Sequence, residues 1–275
     1  MSSMTTEQQQ IAAAKQLGVN RPVDDVLDLL RALLDFDTTM AAKRKKAGCA
    51  IPLTIVVVIA AFIVSGNTSG AVRTIMQAAA FLCIAGAIAA IVLYVRFRAQ
   101  DLSDNLRVAA VPFLALLRED MNPRDPLRVK IDLRPYAIDE KKKKESEPYK
   151  EGAYYKIIDR LFIDPWFNGS ALLADGTKVT WNIVEHILQK TKTKKTARGK
   201  IKTKTKAKRK TVAVVKLAFP TKGYAVSGDA ERDEKRATIT LARKLKTDGD
   251  GSPAFGMLVD LIAEGYRRVE MPRSA

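Results

Sequence analysis

Residues 190–210 read KTKTKKTARGKIKTKTKAKRK, with twelve cations and no carboxylate. Such a run performs no covalent chemistry; it attracts polyanions. The candidate anion-binding residues are Lys190, Lys192, Lys194, Lys195, Arg198, Lys200, Lys202, Lys204, Lys206, Lys208, Arg209 and Lys210. They supply most of a formal net charge of +17. Two local structures compete for the run. The lack of large apolar groups favours a solvated, disordered loop. The period favours strands: from Lys200 every second residue is lysine, with Ile201, Thr203, Thr205, Ala207 and Arg209 between. Alternation with threonine is a strand pattern.

Residues 179–188 and 212–219 flank the run and also read as strands, with Arg198-Gly199 as a turn between. A long twisted β-hairpin over about residues 179–219 is therefore expected. Like charges directly opposite one another destabilise a sheet. An even-length loop avoids this by placing Thr193 opposite Lys204 and Lys192 opposite Thr205, so an even loop is expected. The lysines also discourage edge-to-edge pairing, a purely structural use.

No Phe, Tyr or Trp falls between residues 182 and 218. The run thus lacks the stacking platforms of single-strand readers. Arginine, the usual base-reading cation, occurs in it only at Arg198 and Arg209. An acidic protein or an anionic lipid surface is the leading expectation for a partner, and nonspecific phosphate contact with nucleic acid stays open.

Other chemistry has little to stand on. The single histidine, His186, lies inside a strand pattern and reads as structural or surface. No G-x-S-x-G, H-E-x-x-H, P-loop or G-x-G-x-x-G occurs. Cys49 and Cys83 lie in apolar surroundings without a C-x-x-C pair, so they read as packing residues. Asp164-Pro165-Trp166 and Asp175 sit in turn contexts, and Trp166 and Trp181 read as core. A non-enzymatic interaction protein without metal or cofactor is expected. An enzyme with dispersed carboxylates is the alternative, since paired carboxylates leave no linear signature.

The elements that must carry this run form an α+β membrane protein. Residues 47–72 and 74–95 hold no charged residue, with Arg73 between. Each reaches the roughly 20 residues that a membrane-crossing helix needs. A transmembrane helical hairpin is expected at 47–95, with spans at about 49–66 and 74–95 and a polar turn at 65–70. Lys43, Arg44, Lys45 and Lys46 precede it, and Arg96 and Arg98 follow. The positive-inside rule then puts both termini in the cytoplasm, as for a two-span integral membrane protein. Small residues crowd the second span and offer a face for helix pairing or a homo-oligomer.

Four parts follow. Residues 1–46 form an amphipathic N-terminal segment. Its first helix runs over 5–17 and closes at Gly18, and Asn20 caps a second helix with Pro22 early in it. The hairpin occupies 47–95, and a juxtamembrane helix, kinked by Pro112, occupies 96–122. Residues 123–275 form a cytoplasmic antiparallel β-rich domain. Within it, 127–134 is a strand, 137–152 a charged linker with solvated lysines, and 169–188 a hairpin about a type I′ turn at Asp175-Gly176. A strand at 237–245 follows, and Ser252-Pro253 begins a C-terminal helix.

Overall fold

The computed structural model describes residues 5–226, 230–247 and 253–270. The chain is α+β, with two long apolar helices toward the N-terminus and a large antiparallel sheet. It divides into two compact units: Met1–Arg31 with Ser103–Ala275, and Ala32–Leu102.

The first unit contains all the strands among the described residues. They are β1 (Gln16–Pro22), β2 (Pro126–Asp132), β3 (Lys142–Glu145), β4 (Tyr149–Glu151), β5 (Tyr154–Leu172), β6 (Lys178–Lys195), β7 (Ile201–Pro220), β8 (Ala225–Val226), β9 (Glu231–Arg232), β10 (Arg236–Thr247) and β11 (Val269–Glu270). Among the described residues, nine of these make one sheet in the order β1-β2-β5-β6-β7-β10-β9, with β3 and β4 also on β5. The short β8 and β11 pair separately.

Strand alternation gives the sheet an inner and an outer face. On the inner face Leu127, Val129, Phe167, Val179, Trp181, Ile183, Ala213, Val215, Leu217 and Ile239 are buried. Helices α4 (Val111–Glu119) and α5 (Ala254–Arg267) cover it, with the first residues of α2 (Val23–Gly66) also buried, at Val23, Val26, Leu27 and Leu30. Phe113 of α4 meets Trp181 and Phe167 edge-on, with centroids 5.2 and 5.9 Å away. Trp166 stacks on Phe167 at 5.3 Å, so both tryptophans belong to the core as expected. Ser252, the expected cap of α5, lies outside the described residues.

Gly169 faces Trp181 across β5 and β6. A Cβ there would lie 2.4 Å from the indole ring and 2.5 Å from the Arg128 carbonyl oxygen, neither of which can turn aside. Gly169→Ala is expected to cost about 1–3 kcal/mol or more by overpacking, read as a lowered midpoint of thermal unfolding in detergent. At Gly265 the nearest atom is instead a Leu217 methyl, which another rotamer can withdraw.

Several local expectations are corrected. Helix α1 (Thr6–Ala14) is capped by Thr5 and ends at Lys15, which takes the left-handed conformation at φ 53°, so Gly18 does not close it. Residues 16–22 then form edge strand β1 on β2 rather than a helix cap. Pro22 is tolerated because an edge strand can lack one N–H. The expected helix over 96–122 is broken: the preceding helix stops at Ala99, a π-helical turn follows at Leu106–Ala110, and Pro112 opens α4 in its first turn. The stretch 137–152 contains a 3₁₀ turn at Asp139–Lys141 and strands β3 and β4, and Lys141 is buried.

The second unit holds the rest of α2 and helix α3 (Ala71–Ala99), joined by a turn in which Gly70 has φ +67°. Both helices are long and apolar enough to cross a membrane. Their large side chains point outward, Leu53, Phe81 and Leu82 being 66%, 67% and 74% exposed. Gly48 brings α2 close to the Tyr94 ring, a Cβ there being 3.4 Å from it. Arg44 pairs with Asp101, and Asp37 accepts from the Leu102 backbone N–H at 2.8 Å.

Candidate anion-binding face

Both long hairpins turn the same way. At the β5–β6 end, Leu173 N–H donates to the Thr177 carbonyl and Gly176 N–H to the Leu173 carbonyl, each at 2.9 Å. At the β6–β7 end, Thr196 N–H donates to the Lys200 carbonyl and Gly199 N–H to the Thr196 carbonyl, again at 2.9 Å. Only the glycines are left-handed, with φ +83° at Gly176 and +77° at Gly199. This is a three-residue loop, a type I turn closed by a glycine bulge. A type I′ turn needs two positive φ values, and Asp175 and Arg198 do not supply them. The expected I′ turn and the expected even loop are both wrong for this one reason.

The odd loop reverses the predicted register. Lys190 lies opposite Lys206, Lys192 opposite Lys204 and Lys194 opposite Lys202; Thr191 lies opposite Thr205 and Thr193 opposite Thr203. Lysines therefore share the outer face and threonines the inner one, where each threonine pair is hydroxyl-bonded at 3.3 Å. The β6–β7 pairing runs from Lys178 to Lys195 without a bulge. The lysine row is thus on the same face as Lys178, Lys210 and Lys216. Apart from the inner-facing Glu185, β6, β7 and β10 contain no carboxylate. Stacked like charges cost a sheet energy on the scale of about 0.2–1 kcal/mol per pair.

The two sides of the row differ. On β6, Lys190 lies 3.7 Å from Asp159 and over the Tyr149 ring at 5.6 Å. Lys192 lies 3.3 Å from Glu151, and both Lys192 and Lys194 sit over Tyr154, at 5.1 and 5.8 Å. On β7, no ion pair to a described carboxylate holds Lys202, Lys204, Lys206, Lys208 or Lys210. Tyr149 and Tyr154 were missed because they come from β4 and β5, outside the basic run. Lys200 and Arg198 belong to the turn. Lys195, opposite Ile201, and Arg209 point to the inner side. Arg209 is spent internally, 4.0 Å from Glu185 and 5.6 Å from the Tyr136 ring centroid. His186 is on the outer face opposite Lys210.

A buried ionic cluster anchors the arm. Asp164 is not in a turn; it lies within β5 at a bulge, 7% exposed. Lys141, 6% exposed, lies 2.7 Å from Asp164 and 3.3 Å from Asp132, and donates to the Arg134 carbonyl at 3.1 Å. Arg134 grips Asp132 at 3.0 Å and Glu140 at 2.7 Å. Glu185, 4% exposed, faces Arg209 at 4.0 Å. Burial pushes the Asp164 and Glu185 carboxyls up, against the pull of Lys141 and Arg209 respectively. Burial also acts upward on Asp132, but the Arg134 hydrogen bonds and the Lys141 charge outweigh it and bring Asp132 down to about 2.

The cluster fixes the sign of the acid response. A carboxyl lowered by folding stabilises the protein above its unfolded value, near 3.9, and that stability is lost as pH falls toward 2. Asp164 and Glu185 act oppositely, since the fold favours their protonated forms. Asp132→Asn is expected to lower stability at pH 7 yet flatten its decline between pH 4 and 2, measured by urea unfolding across that range.

Two cavities lie elsewhere. An open groove of about 920 Å³ on the outer face is lined by Asn20, Arg128, Lys130, Asn168, Ser170, Lys178, Thr180 and Asn182. A second, of about 550 Å³, lies between α4, α5 and Asp175, whose carboxylate accepts from Tyr224 at 2.7 Å and Tyr266 at 2.8 Å. Neither is lined by Asp132, Asp164 or Glu185. Comparison with protein-family models, curated proteins and solved structures finds no match to this chain.

Proposed function

We propose that the chain is a membrane-anchored, non-enzymatic interaction protein that presents the lysine face of its β6–β7 arm to an anionic partner. The observation that carries this reading is the register. Lysine stacked on lysine costs stability in the free protein, and a partner's negative charge offsets that cost. The β7 lysines, with no internal counter-ion among the described residues, are the groups available to it. The two apolar helices support the anchor, and the cationic flanks support cytoplasmic termini.

The test uses the full chain in zwitterionic nanodiscs, applied to immobilised heparin as a generic polyanion. The native protein should elute at clearly higher salt than one with Ser at 202, 204, 206 and 208. Equal elution would overturn the arm reading. Release of the protein from membranes by alkaline carbonate would overturn the anchor.

A further inference from the structure

We infer that the anionic partner is double-stranded nucleic acid, held by its phosphates along the outer face of the sheet from the arm into the groove at β1, β2, β5 and β6. The inference rests on the arm reading above and adds a second contact region to it. Because β6 runs unbroken from Lys178 to Lys195, groove and arm share one face. The sixteen residue-to-residue steps from Lys178 to Lys194 span about 53 Å at 3.3 Å each.

The groove has the chemistry of phosphate and sugar contact. Its cations are Arg128, Lys130 and Lys178, and no carboxylate lines it. Among them stand amides and hydroxyls, including Asn168, Asn182 and Thr180, all on the outer side of the sheet. Neutral donors of this kind share backbone contacts with Arg and Lys in protein–DNA interfaces. Across β7, Lys216 lies next to Thr180 and extends the cationic rim.

Shape and composition separate the duplex from other polyanions. A bilayer is flat and cannot follow a concave groove. Binding to a lipid surface also draws on aromatic and large apolar anchors; β6, β7 and β10 place no aromatic residue on this face, and Tyr149 and Tyr154 beside β6 lie beneath Lys190, Lys192 and Lys194. β5 pairs with β6 up to Thr193, so the arm is a two-stranded ribbon only at its tip, from Lys194 and Lys202 to the turn. A ribbon twists more strongly than a broad sheet, and such a tip is admitted by the major groove of B-form DNA. Contact through phosphates predicts affinity without sequence preference.

The experiment measures binding of a fluorescent random-sequence duplex, about 20 base pairs long and thus longer than the face, by anisotropy. The full chain is held in zwitterionic nanodiscs, and salt is varied between about 50 and 200 mM. Three proteins are compared: native, an arm variant with Ser at 202, 204, 206 and 208, and a groove variant with Ser at 128, 130 and 178. All seven positions are exposed, and unchanged circular dichroism and melting check the fold. At about 0.9 per phosphate contact, the log–log salt slope should flatten by about 3.6 in the arm variant and about 2.7 in the groove variant. A groove variant with the native slope overturns the inference while leaving the arm reading intact. Failure to bind duplex, with arm-dependent capture of phosphatidylserine vesicles, also overturns it and makes lipid the partner. Failure of the arm reading registers separately, as unchanged heparin elution.

Discussion

Lys141→Ala is expected to lower stability by about 3–5 kcal/mol, the cost of stranding buried carboxylates without their counter-charge. Lys141 is 6% exposed, and its ammonium faces Asp164 at 2.7 Å and Asp132 at 3.3 Å. Arg134 still holds Asp132, but Asp164 has no other ion pair among the described residues. The loss should therefore fall mainly on Asp164, which sits at the β5 bulge where the sheet passes from helix-covered core to arm. Two measurements define the result. Urea unfolding of the single variant gives the loss. Adding Asp164→Ala should recover a large part of it, because the stranded charge is then gone. A single variant within about 1 kcal/mol of the native protein would show that water reaches the cluster and that the pair is no anchor.

This cluster also shows where reading the sequence stops. Asp132, Lys141 and Asp164 come from three separate segments, and nothing linear ties them together. Lys141 stands in a run of four lysines, where solvation is the ordinary outcome. Only the packing of the 3₁₀ turn against the bulge makes the first of the four different. The apolar helices were legible because a charge-free stretch of some 20 residues has few other uses. The arm strands were legible because alternation over many residues leaves little else.

Strand β1 was not legible. Gly18, Asn20 and Pro22 are helix punctuation by type, and pairing with β2 overrides that signal. The arm's register was misread more instructively. The electrostatic cost of lysine opposite lysine is real but too small per pair to choose the loop length. Turn chemistry is local and stronger: one left-handed glycine preceded by a type I turn gives a three-residue loop. Gly176 and Gly199 apply the rule identically. A cost borne throughout the arm then becomes an observation about function.

The same asymmetry predicts how binding divides between the strands. Replacing Lys202, Lys204, Lys206 and Lys208 by Ser should weaken binding to an anionic surface by about 1 kcal/mol per lysine at low salt, a loss of about 10³-fold in affinity. Replacing Lys190 and Lys192 should do much less. Their charges are already engaged by Asp159, Glu151, Tyr149 and Tyr154, so their loss should appear instead as a few tenths of a kcal/mol of stability, the scale of exposed ion pairs. The β7 replacements should leave stability unchanged or slightly raised, since they relieve the stacked charges. Heparin elution and thermal unfolding of the same two variants separate these outcomes. Equal losses of affinity from both strands would mean that the tyrosines and carboxylates beside β6 do not occupy its lysines, and that the whole row faces the partner. Unequal losses, with affinity falling on one strand and stability on the other, would mean that the register itself sorts lysines of one chemical type into a binding edge and a structural edge.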